Sequence, residues 1–266
     1  MPKLHWIDSF CEGPFSGNPA GVCLLEREAG LDWMKGLAAE LKLSETAFVL
    51  RQGDSFSLRW FTPAGVEVKL CGHATLAAAE ALFNEGLARE TEAIRFDTLS
   101  GELRAWRRKA DGLIELDFPE RQVEAAAPPK GMLEALDLLK AVSVSREADD
   151  WLVECGSEAE VHALRPDFQA LKAAGGRGIC VSAASERDGA DFVSRFFAPA
   201  VGIHEDPVTG SSHCYLGPFW AAKLGRTQLI GRQVSARGGL VHVALKNGRA
   251  FLAGEAKTVF KGQISD

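Results

Sequence analysis

Arg59-Trp60-Phe61-Thr62-Pro63-Ala64 returns 136 residues further on as Arg195-Phe196-Phe197-Ala198-Pro199-Ala200. Six residues alone are a weak signal, but their neighbours repeat on both sides, in the same order and at nearly the same offset. Upstream, Asp32-Trp33 followed by Leu37-Ala38-Ala39 matches Asp167-Phe168 followed by Leu171, Ala173 and Ala174. Each aspartate reads as the N-cap of an amphipathic helix. Downstream, Gly72 opens the apolar stretch Ala74 to Phe83, closed by Gly86, and Gly210 opens Ser212 to Leu224, closed by Gly225. Last, Leu103 to Leu116 is expected to turn at Asp111-Gly112 and Val241 to Leu252 at Asn247-Gly248, both favoured two-residue hairpin turns.

Each copy therefore reads strand, helix, strands, a proline-containing turn, a central apolar helix started by a glycine, and a closing hairpin. That is an α+β fold. A central helix that is apolar nearly all round cannot bury only one face, so the expected solution is a sheet curled about it. The chain is expected to form two pseudo-symmetric lobes, each a barrel-like, mostly antiparallel sheet around a central helix. The boundaries are set at 1–120 and 121–250, with a segment 251–266 that could return to the first lobe. The Ala- and Pro-rich stretch from Val123 to Gly131 is the linker candidate.

Composition narrows the function classes. The 266 residues are 46% hydrophobic and 25% charged with a net charge of -6, and the Lys and Arg residues are dispersed. A phosphate backbone or an anionic membrane would need a clustered positive face, so neither is expected as a partner. No uncharged apolar run approaches the roughly 18 residues that cross a bilayer, and the N-terminus lacks a secretory apolar core. A cytoplasmic location is expected. The six cysteines form no C-x-x-C pair, and the histidines have no ligand spacing, so no disulfide framework and no metal are expected. Gly175-Gly176-Arg177-Gly178 is not G-x-G-x-x-G, and P-loop and G-x-S-x-G motifs are absent. No cofactor is implied.

If the two copies face each other about a pseudo-twofold axis, the central helices start at Gly72-His73 and Gly210-Ser211 in one cleft. Their unpaired backbone N–H groups would then meet there, suited to a carboxylate or an enolate-like oxyanion.

A set of motifs in one order along the whole chain completes this picture: Asp8-x-Phe10, Gly17-Asn18-Pro19-Ala20, Ser44-Glu45-Thr46-Ala47-Phe48, Cys71-Gly72-His73-Ala74-Thr75, Asp206-Pro207-Val208-Thr209-Gly210-Ser211 and Arg237-Gly238-Gly239. Together they resemble the phenazine-biosynthesis-like (PhzF-like) proteins, whose wider fold group includes diaminopimelate epimerase and proline racemase. The resemblance implies a cofactor-independent isomerase, a homodimer, acting on a small carboxylate. It gives Glu45 as general acid/base, with His73, Asp206 and Ser211 holding the substrate's carboxylate and polar groups. Gly72 and Gly210 would supply backbone donors, and Asn18 and Cys71 are further candidates.

Each residue also has a structural reading. Glu45 could be an edge carboxylate in water, His73 a helix-start histidine, and Asp206 a charge complementing the helix that follows with Ser211 as its N-cap. Cys71 could be a small apolar filler. Two-thiol epimerisation needs a second cysteine facing Cys71, but the opposite helix start reads Val208-Thr209-Gly210, and Cys214 lies a turn inside. Amino-acid racemisation through Cys71, and a non-catalytic metabolite-binding or interaction module, remain as alternatives. Adding 135 to Glu45 gives Cys180, so the second copy is expected to lack the acid/base residue.

Overall fold

The computed structural model describes residues 1–187 and 189–265; residue 266, the last of the C-terminal segment, lies outside the described residues. The chain divides into two compact units, Met1–Phe118 with Phe251–Asp266, and Pro119–Ala250.

In chain order the first unit holds β1 (Lys3–Ser9), β2 (Asn18–Leu25), α1 (Leu31–Leu41), β3 (Glu45–Gln52), β4 (Ser55–Phe61), β5 (Glu67–Val68), α2 (Gly72–Asn84), β6 (Ile94–Thr98), β7 (Gly101–Arg107) and β8 (Ile114–Pro119). There follow β9 (Glu124–Ala125), α3 (Met132–Ala135), β10 (Ser143–Glu147), β11 (Asp150–Glu154), α4 (Glu158–Ala163), α5 (Phe168–Ala174), β12 (Gly178–Ala184), β13 (Phe192–Ala198), β14 (Ile203–Asp206), α6 (Gly210–Leu224), β15 (Gln228–Gln233) and β16 (Gly239–Lys246). Strand β17 (Arg249–Gly254) carries the chain back to the first unit, where β18 (Ala256–Gln263) ends it.

The first unit is built by antiparallel pairs β18–β1, β1–β2, β3–β4, β4–β5, β6–β7 and β7–β8, joined by parallel pairs β2–β3 across α1 and β4–β6 across α2. The second unit runs a matching series: antiparallel β10–β11, β12–β13, β13–β14 and β15–β16, with parallel β11–β12 and β13–β15. The fold class is α+β with a mostly antiparallel sheet. Residues 124–125 of the linker candidate form β9, which pairs with β10. Among the described residues, no helix is long and apolar enough to cross a membrane.

The central helices explain the architecture. In α2 all of Gly72 to Phe83 is buried, and the helix packs against β1, β2, β3, β7 and β18. Five alanines in that stretch let strands approach from several sides while withdrawing apolar surface from water, the dominant favourable term in folding. Helix α6 buries nine residues, packs on β15 and β16, and ends at Gly225, φ 68°, as a left-handed cap.

The repeated hexapeptide has a physical reason in each unit. Arg59 on β4 donates from Nε and Nη2 to both Glu67 oxygens on β5, at 2.7 and 2.8 Å, while lying 5.2 Å over the Phe61 ring. Arg195 on β13 does the same to Glu205 on β14, at 2.8 and 3.0 Å, 4.9 Å over Phe197. A bidentate pair stacked on an aromatic ring pins the strand before each turn.

Three local expectations are corrected. Asp32 is not an N-cap: α1 starts at Leu31 with Gly30 at the cap, so Asp32 lies in the first turn, whereas Asp167 caps α5 through Gln169 and Ala170 N–H as expected. Asp111-Gly112 is not a two-residue turn, because Arg107 pairs with Ile114 and six residues intervene. Gly112 has φ 76° but Asp111 has no positive φ, while Asn247 and Gly248, at 53° and 72°, make the expected primed turn between β16 and β17. Ser211 is not an N-cap either; Thr209 occupies that position and Ser211 is the second residue of α6.

Candidate active site

Glu45 is the first residue of β3, opposite Ala20 in the parallel ladder with β2. Its side chain is 13% exposed, and Oε2 lies 3.2 Å from Nε2 of His73, the second residue of α2. Cys71, the N-cap of α2, places Sγ 3.5 Å from His73 Nδ1. Glu45, 26 residues before Cys71 in sequence, thus meets Cys71 and His73, which are two residues apart, at one helix start.

The strands that flank this group hold it. Ser9 and Asn18 face each other across β1 and β2. Ser9 donates from Oγ to the His73 carbonyl at 2.8 Å, fixing the start of α2. Ser44, just before Glu45, donates to Oδ1 of fully buried Asn18 at 3.1 Å, fixing the start of β3. Asn18 is thereby tied to the residue that precedes Glu45. Gly72 is buried as the first residue of α2, and the first helical bond runs from Thr75 N–H to the Cys71 carbonyl at 3.1 Å. The N–H groups of Gly72 and His73 precede that bond and have no partner inside the helix.

Burial lowers His73 to about 3, so its imidazole is neutral across the physiological range. A neutral ring has one donor and one acceptor nitrogen. With the proton on Nε2, His73 donates to the Glu45 carboxylate and Nδ1 accepts from the Cys71 thiol. The ring thus orients Glu45 without adding charge beside it. Glu45, Cys71 and His73 present ligand-type atoms all within 4.8 Å of one another, the one such group among the described residues, so these three would be the side chains to hold a divalent metal.

In the second unit the loop before α6 is tied by buried Gln233. Its Oε1 accepts from Thr209 N–H at 2.9 Å, and its Nε2 donates to the Asp206 carbonyl at 2.7 Å. Asp206 accepts the Thr209 hydroxyl at 2.6 Å, and Ser235 Oγ donates to the Pro207 carbonyl at 2.8 Å while accepting from Gly238 N–H at 3.1 Å. The Asp206-to-Ser211 and Arg237-Gly238-Gly239 motifs are therefore parts of one braced turn. Gly210 is buried as the first residue of α6 and Ser211 is half-buried. Cys214 lies inside the helix, its thiol directed at the Gly210 carbonyl at 3.9 Å and pushed by burial up to about 12, which leaves it protonated.

One contact has no antecedent in the sequence reading. Arg177, in the Gly175-Gly176-Arg177-Gly178 segment, donates from Nη2 to Ser211 Oγ at 3.3 Å and grips buried Asp150 with Nε at 2.8 Å and with Nη2. The only signal was a cluster of glycines, read as a failed nucleotide motif.

Two buried histidines also set a pH dependence. His213 is fully buried, its Nδ1 donates to the Thr209 carbonyl at 2.8 Å, and burial lowers it to about 4. In the unfolded chain both histidines titrate near pH 6.5. Below that pH the unfolded state takes up protons that the folded imidazoles refuse until about pH 4 for His213 and about 3 for His73, so acid favours unfolding. Urea denaturation should show stability falling by on the order of 3 kcal/mol from pH 7 to pH 5. A flat or rising stability over that interval would contradict neutral burial of both rings.

The description "Phenazine biosynthesis-like protein" matches residues 7–262. The chain is 42% identical to an uncharacterized isomerase of Halalkalibacterium halodurans over 98% of this chain and 97% of that one. It is 45% identical to an uncharacterized isomerase of Pseudomonas aeruginosa over 98% of both. The crystal structure of an Enterococcus faecalis PhzF-family protein superposes with a TM-score of 0.92 at 39% identity, covering 99% of each chain. These relatives make the enzyme class isomerase, and the match spans nearly the whole chain. The chain belongs to the phenazine biosynthesis-like protein family.

Proposed function

We propose that this isomerase moves a proton within a small cyclic or unsaturated carboxylic acid, using Glu45 as the single general acid/base. The observation that carries the reading is the 3.2 Å contact between Glu45 and a His73 held neutral by burial. A carboxylate in hydrogen-bond reach of an oriented neutral ring is a base fixed in direction and mostly withdrawn from water.

In this mechanism Glu45 takes a weakly acidic C–H proton from the bound acid and returns it at a second carbon of the same unsaturated system. Negative charge then develops on the substrate's oxygen, where N–H groups at a helix start stabilise it. Gly72 and His73 of α2 supply such groups in this reading. Asp206, Gly210 and Ser211 are assigned to holding the substrate's polar substituents. Fixing donor and acceptor carbons near one carboxylate converts proton transfer into an intramolecular step.

Two-thiol epimerisation is the weaker reading. Cys71 lies against His73, but Cys214, the thiol of α6, is buried and held protonated. A thiol that ionises near pH 12 is a poor base at neutral pH.

The test begins with a thermal-shift screen of cyclic amino and hydroxy acids, followed by proton NMR of each binder in deuterated water. The expected result is time-dependent deuterium incorporation next to the unsaturated system for at least one acid. Binding without exchange for every acid would replace the isomerase reading with a non-catalytic binding module.

A further inference from the structure

Strand register identifies what stands in the second unit where the first carries Glu45. Thr46 pairs with Phe61 between β3 and β4, and Ile179 pairs with Phe197 between β12 and β13. Phe61 and Phe197 are the third residues of the repeated hexapeptide. One position before Thr46 and Ile179 stand Glu45 and Gly178, not Glu45 and Cys180 as a constant offset of 135 implies; the register difference is 178 − 45 = 133. Arg177 immediately precedes Gly178. In the first unit the start of the strand reaches His73, the second residue of α2, at 3.2 Å; in the second it reaches Ser211, the second residue of α6, at 3.3 Å. The two units thus place a carboxylate and a guanidinium in corresponding surroundings.

Arg177 is held from several sides. Asp150, 2% exposed and opposite Gly178 in the β11–β12 ladder, takes its Nε–Nη2 edge. Its guanidinium lies 5.2 Å over Phe196. Gly176 has φ 90°, and a Cβ on Gly178 would stand 2.2 Å from the Phe196 ring, so both glycines are needed to bring the arginine onto that ring. Behind them, buried Tyr215 places its hydroxyl 3.5 Å from Asp150 Oδ2. The side chain is nevertheless 42% exposed, and Nη1 makes no hydrogen bond among the described residues.

A pair with one buried and one partly exposed member is weak evidence of stabilisation, because desolvating the aspartate offsets the attraction. It does fix direction: with one edge of the guanidinium occupied, the Nη1 donor is presented in a single orientation beside the Ser211 hydroxyl. A pre-oriented guanidinium suits carboxylate oxygens and loses little entropy on binding.

We propose that Arg177 is a specificity-determining residue of this isomerase, donating from Nη1, with Ser211 beside it, to a carboxylate of the substrate. The proposal deepens the isomerase reading and rests on it for the identity of the bound molecule. Arg177 is not a proton carrier in it; Glu45 moves the proton and Arg177 selects an anion.

The experiment titrates 1-cyclohexene-1-carboxylate and its neutral carboxamide against wild type, R177M and the double variant D150N/R177Q, reading affinity by relaxation-filtered proton NMR. Wild type is expected to prefer the carboxylate by about tenfold or more, and both variants to reduce that preference to about twofold or less. D150N/R177Q removes both charges together, so it leaves no buried unpaired aspartate if R177M fails to fold. No carboxylate preference in wild type, or a preference that persists in folded D150N/R177Q, would overturn the proposal. Because binding is read at equilibrium, failure of the isomerase reading shows separately, as absence of deuterium exchange.

Discussion

Glu45→Gln should fold like wild type and lose turnover by about a thousandfold or more. Glutamine has nearly the shape of glutamate, and its amide oxygen can accept the Nε2–H of neutral His73 across the same 3.2 Å. Since His73 carries no charge at neutral pH, the substitution costs no charge–charge attraction to that ring, and stability should change by less than about 1 kcal/mol. What is removed is the capacity to accept and return a proton. General acid/base catalysis by a positioned group contributes about 10²- to 10⁴-fold, and in the proposed mechanism the same group serves both halves of the reaction. Turnover of an acid found by the screen, together with a thermal melt, checks both parts. A folded Gln variant within tenfold of wild-type turnover would remove Glu45 from the chemistry.

Gly17→Ala should cost about 3 kcal/mol or more of stability. Gly17 has φ 73°, and a Cβ there would stand 2.3 Å from the Ser9 carbonyl oxygen and 2.9 Å from Cys11 N. Both are backbone atoms, so no flexible side chain can move aside. The left-handed conformation adds about 1 kcal/mol for a residue with a Cβ. Relief must come from moving the loop between β1 and β2, which carries Ser9 and Asn18 at its two ends. Those residues fix the starts of α2 and β3, so the remaining folded protein should also show weaker turnover. Chemical denaturation measures the first effect; a loss under about 1 kcal/mol would mean the loop relaxes freely.

The sequence made the two central helices legible because glycine stands at their starts and ends and their interiors are apolar all round. It also showed the Arg-rich hexapeptide repeat, though not its cause, which is an Arg–Glu clamp across a turn in each unit. Helix phase was less legible: Gly30 rather than Asp32 takes the cap position of α1, because either residue satisfies the local pattern. Asp111-Gly112 has the composition of a tight hairpin, yet strand pairing stops at Arg107 and Ile114, and side-chain bonds from Arg108 and to Leu113 N–H organise a longer loop.

The site was legible only through resemblance. Nothing local in Ser44-Glu45-Thr46 marks a base; its partner His73 is brought to it by the way α2 lies against β3. A constant offset of 135 points to Cys180, while the observed register of 133 points to Gly178, next to Arg177, whose role shows only in its contacts with Asp150 and Ser211. The asymmetry between the units is therefore more specific than a missing carboxylate. Gly178 takes the register position of Glu45, and the guanidinium of Arg177, one residue earlier, reaches the second residue of α6 as Glu45 reaches the second residue of α2.

Single-base chemistry by Glu45 is tested most directly by the rate of solvent-deuterium incorporation into one substrate, measured in parallel for C71S and E45Q. Serine keeps a hydrogen-bonding group of similar size beside His73 Nδ1 but has no accessible anionic form at neutral pH. The expected result is that C71S retains at least about a tenth of the wild-type exchange rate while E45Q retains about a thousandth or less. Exchange lost equally in both variants, or surviving in E45Q and lost in C71S, would contradict the assignment and point to the thiol as the base.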